Sequence, residues 1–384
     1  MSRRSPPGKL VRTEAGFSAF VPDPLPPALA WSQDFARVLS DADRLVGRLS
    51  GAGARLPNPH LLLRPFVRRE AVLSSRIEGT QATLGELLAS EAGAAVSRSP
   101  EDLREVANYV AALEHGLKQL KRRPVSLGLV RSLHARLMAG VRGDAATPGE
   151  FRRAQNWIGP AGCTPFDATH VPPPPADVPA CLQAWAAFLA DHSLPPLVRV
   201  GLLHYQFEAI HPFRDGNGRV GRLLVTLLLA QWQVLPTPLL YLSAFFEATR
   251  RDYYDRLLGV SQHGEWEEWL TYFLMGVARQ SEDAISRAER INSLLAEWRL
   301  VAAESGGRTA TRLVDMVAAN PFLVATAAAR ELGVAFTTVQ RGIERLVAEG
   351  ILTAASDARR GRVYCARKLL DILEEPARSA PSDR

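Results

Sequence analysis

The chain of 384 residues is poor in cysteine, and Cys163, Cys181 and Cys365 stand far apart. An odd number of isolated cysteines argues against a disulfide framework, and their spacing is not that of a zinc site. The longest apolar run, residues 223–230, is far too short to cross a bilayer. The basic, polar N-terminus has no apolar stretch typical of a secretory signal. We therefore expect a reduced, cytoplasmic protein with no membrane partner.

The remaining composition, with 47% hydrophobic and 22% charged residues, is that of a globular protein, and a length of 384 residues is sufficient for two or three domains. The net charge is +6, and residues 305–370 alone hold ten Lys/Arg and five Asp/Glu. This basic segment suggests an anionic partner, although a solvated charged surface is the usual explanation for such an excess.

Apolar residues recur mostly at helical spacing, so we predict a mainly α-helical fold. Helices are expected at 31–49, 61–78, 101–121, 126–139, 178–191 and 196–210, and three more run to about residue 301. The Gly- and Pro-rich segment 140–177 excludes long helices and favours a short hairpin. The predicted organisation is a mobile arm (1–28), a helical region (29–100), a core (101–303), a C-terminal domain (308–375) and a tail (376–384).

The most informative stretch runs from His211 to Arg222 and reads His-Pro-Phe-Arg-Asp-Gly-Asn-Gly-Arg-Val-Gly-Arg. Gly216 and Gly218 can adopt positive φ, so that successive N–H groups form an anion-binding nest at a helix N-terminus. Arg219 and Arg222 could reach phosphate oxygens. Asp215 is a hard oxygen ligand suited to Mg²⁺, and His211 can accept a proton near neutral pH. The stretch thus predicts a site that transfers part of a nucleoside triphosphate.

Two other interpretations of this region are weaker. An ordinary loop and helix start would explain the glycines and arginines separately, but not their combination with a base and a metal ligand within twelve residues. A zinc site formed by His204, Glu208 and His211 lacks the His-Glu-x-x-His order that places two imidazoles one turn apart.

The stretch also resembles the signature of the Fic family of adenylyltransferases, His-x-Phe-x-(Asp/Glu)-Gly-Asn-Gly-Arg-x-x-Arg, at every fixed position. Residues 148–152 and 155–159 resemble the flap of that family, and residues 241–243, 253–254 and 266–269 resemble its downstream helices. The resemblance covers about residues 30 to 300 and implies a Fic-type helical core with a short β-hairpin flap.

The resemblance implies transfer of AMP from ATP to a Tyr, Thr or Ser hydroxyl of a target protein, with release of pyrophosphate. His211 would be the general base, and Asp215 would hold Mg²⁺. The implied phosphate- and nucleotide-binding residues are Gly216, Asn217, Gly218, Arg219, Arg222, Tyr253 and Tyr254, with Tyr241 as a weaker candidate for the adenine.

A second motif, Ser74-Ser75-Arg76-Ile77-Glu78-Gly79, ends the second predicted helix. Ser74 and Glu78 share a face, and Gly79 suits a helix C-cap. A carboxylate in a last turn opposes the helix dipole, so Glu78 is expected to meet a cation elsewhere. The motif resembles the inhibitory (Ser/Thr)-x-x-x-Glu-(Gly/Asn) of the Fic subclass restrained by its own N-terminal helix, in which Glu78 would pair with Arg222.

The C-terminal domain resembles a winged helix-turn-helix. Short helices are predicted at 312–319, 325–332 and 337–348, and the last would bury Val339, Ile343, Leu346 and Val347. Such a helix can enter the major groove of DNA, but similar domains also serve protein contacts. Candidate DNA-binding residues are Thr337, Thr338, Gln340, Arg341, Arg345, Arg359, Arg360 and Arg362.

Three functional alternatives follow from these motifs. The same fold also removes AMP, with a carboxylate such as Glu78 positioning water, or transfers other phosphate-containing groups. A nucleotide-sensing, DNA-binding regulator is the alternative outside enzymes. Expected partners are a target protein, duplex DNA, and a second copy of the chain in a homodimer. The chain itself is also a candidate target.

Overall fold

A computed structural model of the protein describes residues 7–54, 59–96, 100–141, 147–355 and 362–376. Helices dominate, and the prediction of a mainly α-helical fold is confirmed. Within these described ranges, no helix is both long enough and apolar enough to cross a membrane.

Within the described residues, two strands and eleven helices lie between residues 8 and 319. They are β1 (Gly8–Arg12), β2 (Ser18–Pro22), α1 (Gln33–Ala54), α2 (Pro59–Ile77), α3 (Leu84–Glu91), α4 (Pro100–Leu120), α5 (Leu127–Leu137), α6 (Val178–Phe188), α7 (Pro196–Ile210), α8 (Asn217–Gln231), α9 (Ser243–Ala248), α10 (Arg250–His263) and α11 (Trp266–Ala319).

The paired helices α7 and α8 form the centre of the core, and almost every residue of both is buried. An apolar run without a polar face requires cover on all sides. Two tryptophans of neighbouring helices donate their indole N–H groups to carbonyls of α7. Trp185 donates to Leu203 and Trp269 to Gly201, both at 3.0 Å. The loop that joins α7 to α8 is therefore held between two helices that are buried on almost every side.

The N-terminal segment is not a mobile arm over residues 8–22, and that part of the prediction is wrong. The strands β1 and β2 pair as an antiparallel hairpin. Ala19 and Phe20 are buried, and the Phe20 N–H donates to the Val171 carbonyl at 2.8 Å. Gln206 of α7 donates to the Asp23 carbonyl at 2.9 Å. The apolar residues of β2 dock the hairpin on the core, a signal that the flanking prolines and arginines obscured.

Other boundaries differ from expectation in ways that local chemistry explains. Helix α3 was not predicted, although Thr83 and Glu86 form a reciprocal capping box at its start. Between the predicted core and C-terminal domain, the long α11 continues without a break in the chain and is kinked at Gly307, where φ is 64°. The predicted hairpin in 140–177 reduces to one antiparallel bridge between Ile158 and His170.

The C-terminal domain combines three helices with a small sheet. Its elements are β3 (Phe322–Val324), α12 (Ala325–Leu332), α13 (Phe336–Ala348), β4 (Thr353–Ala354), β5 (Val363–Cys365) and α14 (Arg367–Glu374). The sheet has the antiparallel order β3-β5-β4. Sequence patterns predicted neither β3 nor α14. Val347 was expected to be buried on α13 but is 39% exposed. It comes directly after the buried Leu346, so its side chain lies on the outer face of the helix.

The C-terminal domain is tied to the N-terminal helices by polar contacts. Glu374 accepts from the Gly85 N–H at 2.9 Å, and Asn320 donates to the Leu88 carbonyl at 2.9 Å. Arg69 of α2 donates to the Glu375 carbonyl at 3.3 Å, and Arg290 of α11 makes two 2.6 Å contacts with the Glu375 carboxylate. Helices α2 and α3 are consequently held between the core and the C-terminal domain.

Candidate active site

His211 lies at the C-terminal end of α7 in a left-handed conformation, with φ 48° and ψ 60°. Its Nδ1 lies 3.3 Å from the Glu208 carbonyl. Because a carbonyl oxygen only accepts, Nδ1 carries the proton and Nε2 retains its lone pair. Burial, helped by neighbouring His170, lowers the pKa of His211 to about 4. The imidazole is therefore neutral near pH 7 and can accept a proton at Nε2.

The loop after His211 is fixed by side chains that bind its backbone. Asn217 accepts from the Phe213 N–H at 2.7 Å and donates to the Phe213 carbonyl at 2.9 Å. Asn156 donates to the same carbonyl at 2.9 Å. The amide of Asn217 is thus used within the protein, so that this residue can offer a phosphate only its backbone N–H.

His134 holds the loop from the other side. Its ring stacks on that of Phe213 with 3.7 Å between centroids. Nδ1 accepts from the Gly149 N–H at 2.8 Å, and Nε2 lies 3.0 Å from the Asp215 carbonyl, to which it donates. Burial lowers the pKa of His134 to about 4, which keeps this arrangement neutral.

Helix α8 begins immediately after Gly216, whose φ is 76°. The first N–H groups of such a helix have no carbonyl within it and form an anion site together with the helix dipole. The exposed Asp215 carboxylate stands at the edge and accepts from the Gly216 N–H at 2.6 Å. A single exposed carboxylate fits Mg²⁺, which takes its other ligands from water and from nucleotide phosphates.

Arg222 projects from the first turns of α8 into a buried position against α2. Its Nε donates to the Ser74 hydroxyl at 2.9 Å, and Nη2 donates to the Ser74 carbonyl at 3.0 Å. Nη2 also contacts Glu78 Oε1 at 2.5 Å. The arginine is 3% exposed, so its charge depends on this carboxylate for compensation.

Glu78 reaches Arg222 because α2 ends abruptly. The Thr80 N–H donates to the Ser75 carbonyl and the Gly79 N–H to the Arg76 carbonyl, which is the Schellman arrangement, and Gly79 has φ 102°. A Cβ placed on Gly218 would lie 2.5 Å from Glu78 Oε1, so the carboxylate covers the start of α8. Burial alone would raise the pKa of Glu78, but the Arg222 charge outweighs it and the pKa is lowered.

Arg219 does not line the same pocket as Arg222. Its guanidinium lies 3.3 Å from Glu105 of α4 and 3.7 Å from the Met138 sulfur. Sequence spacing places the two arginines on neighbouring faces, but the close packing of α4 and α5 directs Arg219 away from Glu78.

A buried polar network under Arg222 was not found from the sequence. Glu70 accepts from the Ser243 hydroxyl at 2.6 Å, the Ser243 N–H at 3.3 Å and the Tyr109 hydroxyl at 3.0 Å. Burial raises the pKa of Glu70 despite these donors. These residues lie about 40 and 170 positions apart in sequence, and no local pattern connects them.

The pocket beside His211 has a volume of about 540 Å³, within the range of small-molecule sites. Its polar lining includes Glu78, His170, Glu208, His211, Arg222, Arg250, Tyr253, Tyr254 and Asp255. The Tyr253 hydroxyl is 2.9 Å from His204 Nε2, whereas Tyr254 is 41% exposed and its ring centroid lies 5.9 Å from the Arg250 guanidinium. Tyr241 is buried and does not line this pocket.

His204 takes part in the aromatic core rather than in a metal site. It stacks near Phe246 and Trp269, and burial lowers its pKa to about 3. Throughout the part of the chain that the structure describes, no group of three or more His, Cys, Asp or Glu could hold a metal ion. The zinc interpretation therefore has no geometric support.

The fold and the pocket together define a helical protein in which a loop with a neutral imidazole joins two buried helices, the second of which begins at Gly216. Residues 36–118 match the profile of the Fic/DOC family N-terminal domain, and residues 124–229 match that of the Fic/DOC family. The chain is a Fic family protein that contains both domains.

Curated relatives support the same family at modest identity. The protein adenylyltransferase Fic of Drosophila grimshawi is 38% identical over 108 residues, which cover 27% of this chain and 20% of the relative. That of Drosophila ananassae is 31% identical over 159 residues, which cover 40% of this chain and 30% of the relative. The chain thus matches about a fifth to a third of these relatives' length.

A Fic family protein from Desulfovibrio desulfuricans G20 has a similar solved structure, with a TM-score of 0.60 over 89% of this chain and 98% of that one. The sequence identity is 21%, so the likeness concerns the fold. It extends beyond the two matched domains and confirms the Fic-type helical core.

Glu208 provides a pH-dependent test of the pocket. Burial raises its pKa from 4.5 to about 8, although Arg222 opposes the shift. A raised folded pKa contributes stability below the unfolded value and loses it as pH rises through the folded value. Glu208→Gln cannot ionise, so its free energy of unfolding relative to wild type should increase between about pH 5 and about pH 8.5.

Urea unfolding at several pH values measures this difference. Glu150→Gln, at a half-exposed position, is the control and should show no such trend. A difference between Glu208→Gln and wild type that stays constant with pH would show that Glu208 ionises normally in the folded protein.

Proposed function

We propose that this protein transfers AMP from ATP to a hydroxyl side chain of a target protein. The observation that carries the proposal is that one pocket is lined by the neutral His211, the buried Arg222 and Gly218 at the start of α8. The named activity of the Drosophila relatives supports it. A reaction on a nucleoside triphosphate needs this combination of a base and phosphate-binding groups.

The reaction balances as a single displacement. The hydroxyl oxygen of the target forms a bond to the α-phosphorus, and the bond from that phosphorus to the oxygen bridging to the β-phosphate breaks. The hydroxyl proton moves to His211 Nε2, and pyrophosphate leaves. The backbone N–H groups of Asn217 and Gly218 would hold phosphate oxygens, and Arg222 would bind the γ-phosphate. Mg²⁺ held by Asp215 would neutralise phosphate charge when bound.

The resting protein is proposed to be restrained by Glu78. Arg222 has its Nη2 on Glu78 Oε1 and its Nε on Ser74, so its donors are directed toward α2. The Glu78 carboxylate also covers Gly218, where a phosphate would approach the start of α8. ATP would then bind without its γ-phosphate on Arg222, and the α-phosphate would not face His211.

Removal of AMP remains the alternative on the same site. Glu78 borders the pocket that contains His211, so it could position a water against AMP-modified protein. Its tight ion pair with Arg222 and lowered pKa favour the restraining role over that of a base.

His211→Ala is expected to abolish AMP transfer and leave ATP affinity largely intact, because the ring acts on the incoming hydroxyl. Loss of a general base costs on the order of 10²–10⁴ in rate. Labelled AMP incorporation measures turnover, and calorimetry measures ATP binding. An equal loss of affinity and turnover would place His211 in nucleotide binding instead.

Glu78→Gly should raise AMP labelling of the protein and its target, because Arg222 becomes available to the γ-phosphate. Glu78→Asp, shorter by one methylene, should be intermediate. The measurement is labelled AMP incorporation from ATP, followed by a chase of the pre-modified protein. Gln81→Gly is the control, since exposed Gln81 follows the same turn without contacting Arg222.

Two outcomes would contradict the restraint. One is a lower yield of modified protein from Glu78→Gly than from wild type. The other is a higher yield explained wholly by slower loss of AMP in the chase, which would identify Glu78 as part of AMP removal.

We propose a second function for the C-terminal domain, the binding of duplex DNA as a winged helix-turn-helix. Helix α13 buries Val339, Ile343 and Leu346, and it exposes Thr337, Thr338, Arg341 and Arg345. Gln340 faces inward, 3.4 Å from the Tyr364 hydroxyl, and Arg362 is exposed before β5. Arg359 and Arg360 lie outside the described residues. An exposed, basic helix face suits phosphate and major-groove contacts.

The full chain should shift duplex DNA fragments at low salt, with affinity falling steeply as salt rises. Arg341→Ala combined with Arg345→Ala should weaken binding, and Arg312→Ala, exposed on α11, is the control. Gel shifts with a genomic fragment library measure this. Retention of no fragment, or equal binding by the double variant, would make the domain a protein-contact module.

A further inference from the structure

Arg152 is a buried cation whose described partners are all backbone carbonyls. Nε donates to the His211 carbonyl at 2.9 Å, and Nη2 donates to the Ile210 carbonyl at 3.3 Å and the Pro173 carbonyl at 2.6 Å. Nη1 donates to the Ala154 carbonyl at 3.3 Å. The side chain is 6% exposed, and burial lowers its pKa to about 10, which leaves it charged near neutral pH.

Burying a guanidinium without a carboxylate partner costs free energy, because the charge loses its hydration. Such unfavourable arrangements are common at functional sites, where a group must be held in place. The group held here is His211. A residue with a Cβ rarely adopts the left-handed backbone that His211 shows, and such conformations persist only where the surroundings enforce them.

The contacts of Arg152 enforce this conformation directly. The Ile210 carbonyl belongs to the peptide before His211, and the His211 carbonyl belongs to the peptide after it. One guanidinium that binds both oxygens fixes the orientation of both peptide planes, and therefore both φ and ψ of His211. The Arg152 N–H adds a third restraint, since it donates to the Pro212 carbonyl at 2.9 Å.

We propose that Arg152 is a positioning residue, which holds the His211 backbone in its left-handed turn so that Nε2 faces the pocket. This inference rests on the proposed AMP transfer for its catalytic consequence, but not for its structural one. It assigns a role to an arginine that lies 59 positions before His211 in the sequence.

The positive charge of Arg152 favours the neutral form of His211, the form that the hydrogen bonds of Arg152 are proposed to position. Burial is the main cause of the lowered pKa of His211, with His170 next, and the Arg152 cation adds to both. Glu78 opposes them weakly, while Glu208 and Arg222 also line the pocket. An arginine at this position therefore disfavours the protonated, imidazolium form of His211, which could not accept the hydroxyl proton.

The experiment compares Arg152→Gln and Arg152→Lys with Arg153→Gln in the full chain. Arg153 is the matched control, because its side chain is 91% exposed. Nitrogen NMR of ¹⁵N-histidine-labelled protein reports the tautomer and the titration of His211, identified by its loss in His211→Ala. The kcat and KM for ATP are measured in the Glu78→Gly background, where transfer is expected to be strongest.

Arg152→Gln should lose the pure Nδ1–H tautomer of His211 and move its titration to higher pH. Arg152→Lys, which keeps the charge but not the fork of donors, should lose the tautomer with a smaller titration change. Both should lower kcat by roughly 10²-fold with little change in KM, as expected for a displaced catalytic group. Arg153→Gln should match its parent in every measurement.

The proposal is overturned if a folded Arg152→Gln protein matches the control in tautomer, titration and kcat. It is also overturned if neither variant folds, because Arg152 would then be a requirement of the fold. If the parent transfers no AMP, the proposed function fails, but the NMR measurement still decides whether Arg152 sets the state of His211.

Discussion

The ion pair between Arg222 and Glu78 is the interaction on which the site depends. A guanidinium buried in the centre of a helical core must have a counter-charge, and α2 supplies it with a carboxylate at 2.5 Å and a serine hydroxyl at 2.9 Å. The carboxylate therefore stabilises the buried Arg222, and in the proposed restraint it occupies the place of a phosphate. A ligand that displaces Glu78 from Arg222 has to supply at least the negative charge of the carboxylate that it replaces. A triphosphate can do so.

The rigidity of the site comes from backbone contacts more than from its catalytic side chains. Asn217, Asn156, His134 and Arg152 all bind main-chain groups of the loop between α7 and α8. Each is buried or half-buried, and none needs to touch a substrate. In the proposed role of Arg152, such support holds His211 in its left-handed conformation, as the preorganisation of a catalytic group requires.

Much of this arrangement could be predicted from the sequence because it is local. Gly79 and Gly216 mark turns with positive φ, the helical periods identify α7 and α8, and the pairing of Glu78 with Arg222 followed from the resemblance of two short motifs. Contacts between distant segments were not accessible in this way. Neither the Glu70 network nor the direction of Arg219 toward Glu105 leaves a local pattern, and the docked N-terminal hairpin was hidden among prolines.

The most direct test is a structure of the Glu78→Gly protein with ATP and Mg²⁺, compared with wild type under the same conditions. We expect the γ-phosphate of the variant to lie on the Arg222 guanidinium and the α-phosphorus to face Nε2 of His211. In wild type, Glu78 should remain on Arg222 and the α-phosphate should be turned away. Identical triphosphate positions in both proteins, or a γ-phosphate that does not contact Arg222 in the variant, would contradict the proposed restraint.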